Sequence, residues 1–236
     1  MLTAPIERML FGLGDDHVIL EPRSGQLLHP EALVAFQQLC ADARDAGFDP
    51  LVVSGFRGFD RQRVIWNRKA RGERPVLDSA GAPLDIARLT PPQLVFAILR
   101  WSALPGASRH HWGTDFDVVD AAAMPDNYQV QLTPQEVCQG GIFSAFHEWL
   151  DQRIAAAESY GLFRPYAEDR GGIAPERWHL SYAPAARELQ GLLSADRLAE
   201  RVRCSELALG ETVIEHMGAV FERFVEVPEA FYPPQS

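Results

Sequence analysis

Along residues 30–46 the apolar side chains Leu33, Phe36, Leu39, Cys40 and Ala43 recur at three- and four-residue intervals, which lays one apolar stripe along a helix. Gly47 stands where that helix would end. The period then changes. Residues 50–54 (Pro-Leu-Val-Val-Ser) form a short apolar run that reads as a strand, Gly55 turns the chain, and Asp60 is placed to cap a basic helix over 61–70. Residues 71–87, rich in Gly, Pro and Asp, read as a surface loop. Thr90 followed by Pro91 opens a helix over 91–104, with Leu94, Ile98 and Trp101 on one face.

Alternation returns at 116–120 (Phe-Asp-Val-Val-Asp) and at 178–182 (Trp-His-Leu-Ser-Tyr), each a strand. Between them lie an irregular stretch, 121–141, and a helix over 144–160 closed by Gly161. Residues 184–224 read as two helices broken near Gly210, and the three prolines of 225–236 make that tail an extended strap or a disordered end. Helices lead, while the strands are short and sit late and central, so the expected class is α+β. One domain over 1–236 is expected, with a motif-bearing core at 30–183 and a helical extension at 184–224.

Composition narrows the chemistry. The 236 residues carry 22 basic and 32 acidic side chains, a net charge of −10. That balance argues against a nucleic-acid partner, which needs clustered positive charge. One basic run does occur in 57–74, where Arg57, Arg61, Arg63, Arg68, Lys69, Arg71 and Arg74 either steer an anionic substrate or form a solvated helix face. Lys69 is the only lysine and does not follow glycine, which excludes a phosphate-binding P-loop. No Gly-x-Ser-x-Gly elbow surrounds a serine. Cys40, Cys138 and Cys204 are too few and too scattered for a disulfide framework or a four-cysteine zinc site, so a metal site here is built from histidine and carboxylate. The chain opens without a basic segment followed by an apolar one, and no run approaches the ~20 apolar residues of a membrane span. The expected location is cytoplasmic, with periplasm or cell envelope the alternative if a leader was removed. The oligomeric state is left open.

Two segments concentrate residues that a core would not choose: Ser108-Arg109-His110-His111-Trp112-Gly113-Thr114-Asp115-Phe116-Asp117 and Pro175-Glu176-Arg177-Trp178-His179. A bend at Gly113 can bring an imidazole and the Asp117 carboxylate to one point. A loop running into a strand lets Glu176 and His179 face the same cleft. Two histidines, an aspartate and a nearby glutamate match a catalytic zinc site with an open coordination position. Other histidine clusters read differently. His147-Glu148-Trp149-Leu150-Asp151 resembles a helical zinc motif with Asp in the second histidine position but is read as an exposed helix turn, and Asp15-Asp16-His17 and Glu215-His216 as surface features. Trp112 and Trp178 are either site walls or core aromatics.

The run Ser108-x-His110-x-x-Gly113-x-x-x-Asp117, followed by Glu176-x-Trp178-His179, resembles the signature of the zinc D-alanyl-D-alanine carboxypeptidases and dipeptidases, the VanY/VanX-like M15 metallopeptidases of the LAS group. Upstream, Ser54-Gly55-Phe56-Arg57 with Gln62 beyond it is similar to the same family's Ser-Gly-Tyr-Arg segment. The three motifs occur in the family's order and span roughly 52–182. The resemblance implies a small central antiparallel sheet flanked by helices, the LAS-type or hedgehog-like fold. It makes His110, Asp117 and His179 the Zn2+ ligands, Glu176 the catalytic base, Arg57 the residue that binds or polarises the scissile carbonyl, and Ser108 a substrate contact. Two departures stand out: Asp115 replaces the usual small residue, and His111 follows the first ligand. Either could compete for the metal. The implied activity is release of terminal D-alanine from peptidoglycan peptides, the alternatives being a D-Ala-D-Ala dipeptidase, a peptidoglycan endopeptidase, or a zinc-binding module without catalysis.

Overall fold

The computed structural model describes residues 2–234. Helix α1 (Ala4–Leu10) leads to a hairpin of β1 (Ile19–Leu20) and β2 (Leu27–Leu28), then to α2 (Pro30–Asp45), β3 (Pro50–Ser54), α3 (Phe59–Ala70), α4 (Pro91–Leu99) and β4 (Asp115–Asp120). There follow α5 (Pro134–Val137), α6 (Ser144–Ala155), β5 (Leu162–Phe163), β6 (His179–Tyr182), α7 (Ala183–Leu192), α8 (Ala195–Arg203), α9 (Gly210–Glu215) and α10 (Met217–Phe224). The α+β expectation holds: β3, β4, β6 and β5 make, in that order, a four-stranded antiparallel sheet flanked by helices.

The alternation in β4 sorts its side chains between two environments, and the whole strand is buried. Phe116 and Val118 turn to one face, joining Val52, Leu180, Phe36 of α2 and Phe146 of α6 in a hydrophobic cluster. Asp115 and Asp117 therefore point to the other face. On β6, Leu180 takes the apolar side while His179 and Ser181 take the polar side, with Asp115 opposite Ser181 and Asp117 opposite His179. A register shift in β3 between Val52 and Ser54 sets Ser54 opposite Asp117. The polar face of the sheet thus collects residues from three strands that are distant in sequence.

The C-terminal helices complete the core. Leu189, Leu198, Val213 and Phe224 share one cluster with Leu10 of α1, Trp66 of α3 and Ile98 of α4. Val225, Val227 and Tyr232 are buried in that cluster, so the tail over 225–234 is a strap, and residues 235 and 236 lie outside the described residues. Among the described residues no helix is long and apolar enough to cross a membrane.

Several boundaries differ from expectation. Helix α3 begins at Phe59 with Gly58 as its N-cap, because the Phe59 side chain is buried and its N–H is held by the Gly12 carbonyl; Asp60 instead pairs with Arg63. Thr90 and Gln93 form the capping box of α4, but the helix stops at Leu99 rather than 104, and the chain turns through residues 100–102 before Pro105. Helix α6 ends at Ala155, and Ala157 and Tyr160 adopt left-handed backbone before Gly161, which turns the chain into β5. The segment 184–224 is divided into more than two helices: Ser194 caps α8, and the chain breaks again at His216. Helix α1, the β1–β2 hairpin and β5 were not expected at all.

Candidate active site

A cleft of about 270 Å³ opens on the polar face of β4 and β6, lined by Arg57, Lys69, Ser108, His110, Asp117, Glu176 and His179 among others. His110 lies in a 3-10 turn, Arg109–Trp112, that is closed by Gly113 at φ +68°. A Cβ at Gly113 would sit 2.4 Å from Val18 and 2.8 Å from the His29 nitrogen, so this tight bend requires glycine on both conformational and steric grounds. The bend returns the chain into β4 with His110 alongside Asp117.

Hydrogen bonds at the back of each imidazole leave one nitrogen directed into the cleft. His110 Nδ1 donates to the Gly55 carbonyl (2.9 Å), leaving Nε2 3.7 Å from Asp117 Oδ2. His179 Nε2 is bound to Asp115 Oδ1 (2.9 Å), leaving Nδ1 3.2 Å from Asp117 Oδ1 and 3.6 Å from Glu176 Oε2. His179 Nδ1 and Asp117 Oδ1 are both buried without a hydrogen-bond partner among the described residues. One ligand atom from each of His110, Asp117 and His179 lies within 4.8 Å of the others, so these three could hold a metal ion. The two carboxylates also favour positive charge here: burial opposes it, yet hydrogen bonding to Asp115 and the adjacent Asp117 push His179 up to about 10. His110 is pushed down to about 3 by burial and the neighbouring Arg57, and is a neutral donor.

Asp115 and His111 are both engaged away from the His110, Asp117 and His179 cluster. Asp115 is wholly buried and is engaged by Arg109 Nε (2.8 Å), Ser181 Oγ (2.9 Å), Thr114 Oγ1 (2.7 Å) and His179. Arg109 in turn reaches Ser181, Gln190 and Tyr232 of the strap. Asp115 thus orients the His179 ring from behind, an arrangement of the kind that fixes the tautomer of a metal-binding histidine. His111 Nδ1 donates to the Arg57 carbonyl while Nε2 accepts from the Gly106 N–H (3.0 Å), so both nitrogens are occupied away from the cleft.

Glu176 and Arg57 complete the constellation. Burial, opposed by His179 and then aided by Asp117, raises Glu176 to about 7. Arg57 Nη1 donates to Gln62 Oε1 (2.9 Å) and Nη2 to Ser54 Oγ (3.3 Å), while Gln62 Nε2 is anchored on the Ala103 carbonyl (2.6 Å). Ser108 Oγ is buried and unpartnered on the cleft wall. Every residue expected at the site therefore borders one cleft. Trp178 lines it too, whereas Trp112 is a core residue whose Nε1 donates to the Leu10 carbonyl.

Sequence reasoning assigns no site role to Arg109 or Tyr166 and places Lys69 only in the basic run that could steer an anionic substrate, yet all three line the cleft. The Tyr166 ring packs 4.9 Å from that of His179 and its carbonyl accepts from the Glu176 N–H (3.0 Å). No motif marks Tyr166. His147, expected on an exposed turn, is fully buried beside Arg164, and Asp151 pairs with Arg164 and Arg177, so this group holds α6 to the loop before β6. His17 is bound to the His111 carbonyl (2.8 Å) rather than being a free surface group.

Comparison with known proteins agrees with this fold. The family VanY, described as D-alanyl-D-alanine carboxypeptidase, matches residues 25–185. An uncharacterized protein of Haemophilus influenzae is 44% identical over 99 residues, covering 41% of this chain and 68% of that protein. A D-alanyl-D-alanine carboxypeptidase of Enterococcus faecalis is 25% identical over 173 residues, 72% of this chain and 51% of the enzyme. The structure of VanYB in complex with D-alanine-D-alanine shares the fold, with a TM-score of 0.50, 23% identity, and coverage of 78% of this chain and 89% of that one. With the family match extending over most of the chain and enclosing all three motifs, the protein belongs to the VanY family of D-alanyl-D-alanine carboxypeptidases.

Proposed function

We propose that this chain is a zinc-dependent D-alanyl-D-alanine carboxypeptidase that releases terminal D-alanine from peptidoglycan peptides. The observation that carries the reading is the convergence of His110, Asp117 and His179 within 4.8 Å, with Glu176 beside them and Arg57 in the same cleft. Two imidazoles and one carboxylate, with two unpartnered buried atoms directed at each other, fit a zinc ion that keeps a coordination position open. When bound, zinc supplies Lewis acidity, which lowers the pKa of water to about 7 and polarises a carbonyl.

The remaining steps belong to the chain's own side chains. Arg57, held by Gln62 and Ser54, donates to the carbonyl oxygen of the scissile bond and stabilises the negative charge that develops there. Glu176, with its affinity for a proton near neutrality, takes the proton from water as hydroxide adds to the carbonyl carbon. It then passes that proton to the nitrogen as the C–N bond breaks, so the products are a carboxylic acid and an amine. Ser108 Oγ, buried and without a partner, is available to hydrogen-bond the peptide backbone. A structural metal site needs neither Glu176 nor Arg57, which favours catalysis over a binding module. D-alanine-D-alanine, the ligand of the VanYB structure, is the chemical group this cleft would take.

The test is product identity. A pentapeptide ending in D-Ala-D-Ala is incubated with the zinc-loaded protein and the products are weighed by mass spectrometry. Free D-alanine and a tetrapeptide are expected, and a chelator should abolish both. Release of the intact dipeptide, or cutting only within cross-linked peptide, would replace this reading with a dipeptidase or an endopeptidase.

A further inference from the structure

We propose that Lys69 determines specificity in this cleft by binding the free C-terminal carboxylate of the peptide. This rests on the peptidase reading above and sharpens its substrate class. Gln62, Trp66 and Lys69 stand at i, i+4 and i+7 of α3 and share one helix face. Gln62 on that face holds Arg57, and Trp66 is fully buried with its Nε1 donating to the Ala208 carbonyl (2.8 Å), so the rotation of the helix is set. The chain's only lysine is thereby brought to the wall that also carries Arg57.

Three cations line the cleft: Arg57, Lys69 and Arg109. Arg109 is paired with Asp115, and Arg57 is bound by Gln62 and Ser54. Lys69 has no carboxylate within 4.0 Å among the described residues, whereas Arg63 and Arg68 of the same helix each have one. A half-buried ammonium that feels Glu176 only at a distance, with no carboxylate in ion-pair contact, is held at an energetic disadvantage that an incoming anion relieves. Burial and then the nearby Arg74 lower Lys69 to about 8, which still leaves it charged at neutral pH.

The chemistry of the substrate supplies that anion. In a terminal residue the carboxylate carbon is only two atoms beyond the scissile C–N bond's nitrogen, so a cation beside Arg57 and Glu176 is well placed to receive it. A residue inside a longer chain offers an uncharged amide at the same point. A compact ammonium suits a single carboxylate oxygen, while the planar guanidinium of Arg57 is engaged elsewhere. Lys69 thus selects for cleavage at a chain end.

The experiment compares zinc-loaded parent, Lys69→Met and Lys69→Arg proteins on two pentapeptides that differ only in a free or an amidated C-terminus. The parent should favour the acid, and Lys69→Met should lower the acid-to-amide ratio of kcat/KM by ~10- to 100-fold, mainly through KM, with Lys69→Arg restoring most of it. Equal losses on both peptides, or no change in the ratio, overturn the proposal. A third peptide with its side-chain carboxylate neutralised completes the set: a penalty that follows that group rather than the C-terminus also overturns it. Calorimetric binding of the acid and amide to Glu176→Gln protein, with and without Lys69→Met, reads the same contact without turnover. Absence of any cleavage by the parent would sink the peptidase reading, while an acid-to-amide difference in binding would still decide the role of Lys69.

Discussion

A Glu176→Gln protein is expected to retain its metal and its fold yet hydrolyse D-Ala-D-Ala pentapeptide on the order of 10²- to 10⁴-fold more slowly than the parent. Gln preserves the volume and the polar end of Glu176 but cannot take up a proton from water. The carboxyl group is suited to that task by its surroundings, since burial and Asp117 lift it to about 7 while His179, and then Arg57 and Lys69, hold it back from rising further. It stands 3.6 Å from Nδ1 of His179 without being needed to complete the His110, Asp117 and His179 set. Zinc affinity measured by chelator competition should therefore stay within a fewfold of the parent. If Glu176→Gln keeps more than about a tenth of the rate, some other group is the base.

The second large effect is expected at Asp115. Asp115→Ala strands the Arg109 guanidinium, whose side chain is 1% exposed, without its carboxylate partner. Removing one half of a buried ion pair costs about 3–5 kcal/mol. In a chain of this size that lowers Tm by roughly 10 °C. The same substitution frees His179 Nε2, so zinc affinity should fall by ~10- to 100-fold. Thermal unfolding followed in excess zinc and in chelator separates the two effects. Pairing Asp115→Ala with Arg109→Met removes the stranded charge and should recover part of the Tm but none of the zinc affinity. Recovery of both would mean that Asp115 acts only through Arg109.

The parts of the site that were legible in the sequence are those set by local spacing. Gly113 between His110 and Asp117 forecasts a bend, and the bend is there at φ +68°. Alternation in 116–120 and 178–182 forecasts two strands, and those strands carry Asp117 and His179 on one face. Asp115 was visible as a departure, but it lies one residue ahead of the strand expected at 116–120, and only the structure extends that strand back to include it. Its role was not visible, because that depends on the register that sets β4 against β6 and on Arg109 folding back through the 3-10 turn. Lys69 was conspicuous as the single lysine, but its direction follows from the burial of Trp66, a tertiary fact. Helix ends at Leu99 and Ala155 were misjudged because residues beyond them keep an apolar pattern while serving as turns. The two-residue strands β1, β2 and β5 are too short to show any period.

The central claim is that His110, Asp117 and His179 hold one zinc ion that makes this chain a peptidase. The most direct measurement strips the protein of metal and follows D-alanine release from the pentapeptide as zinc is added back. Hydrolysis should be absent at the start and rise to a plateau at one zinc per chain, with no plateau for His110→Ala protein. Full activity in the stripped protein, or no release of D-alanine past one equivalent of zinc, would contradict it.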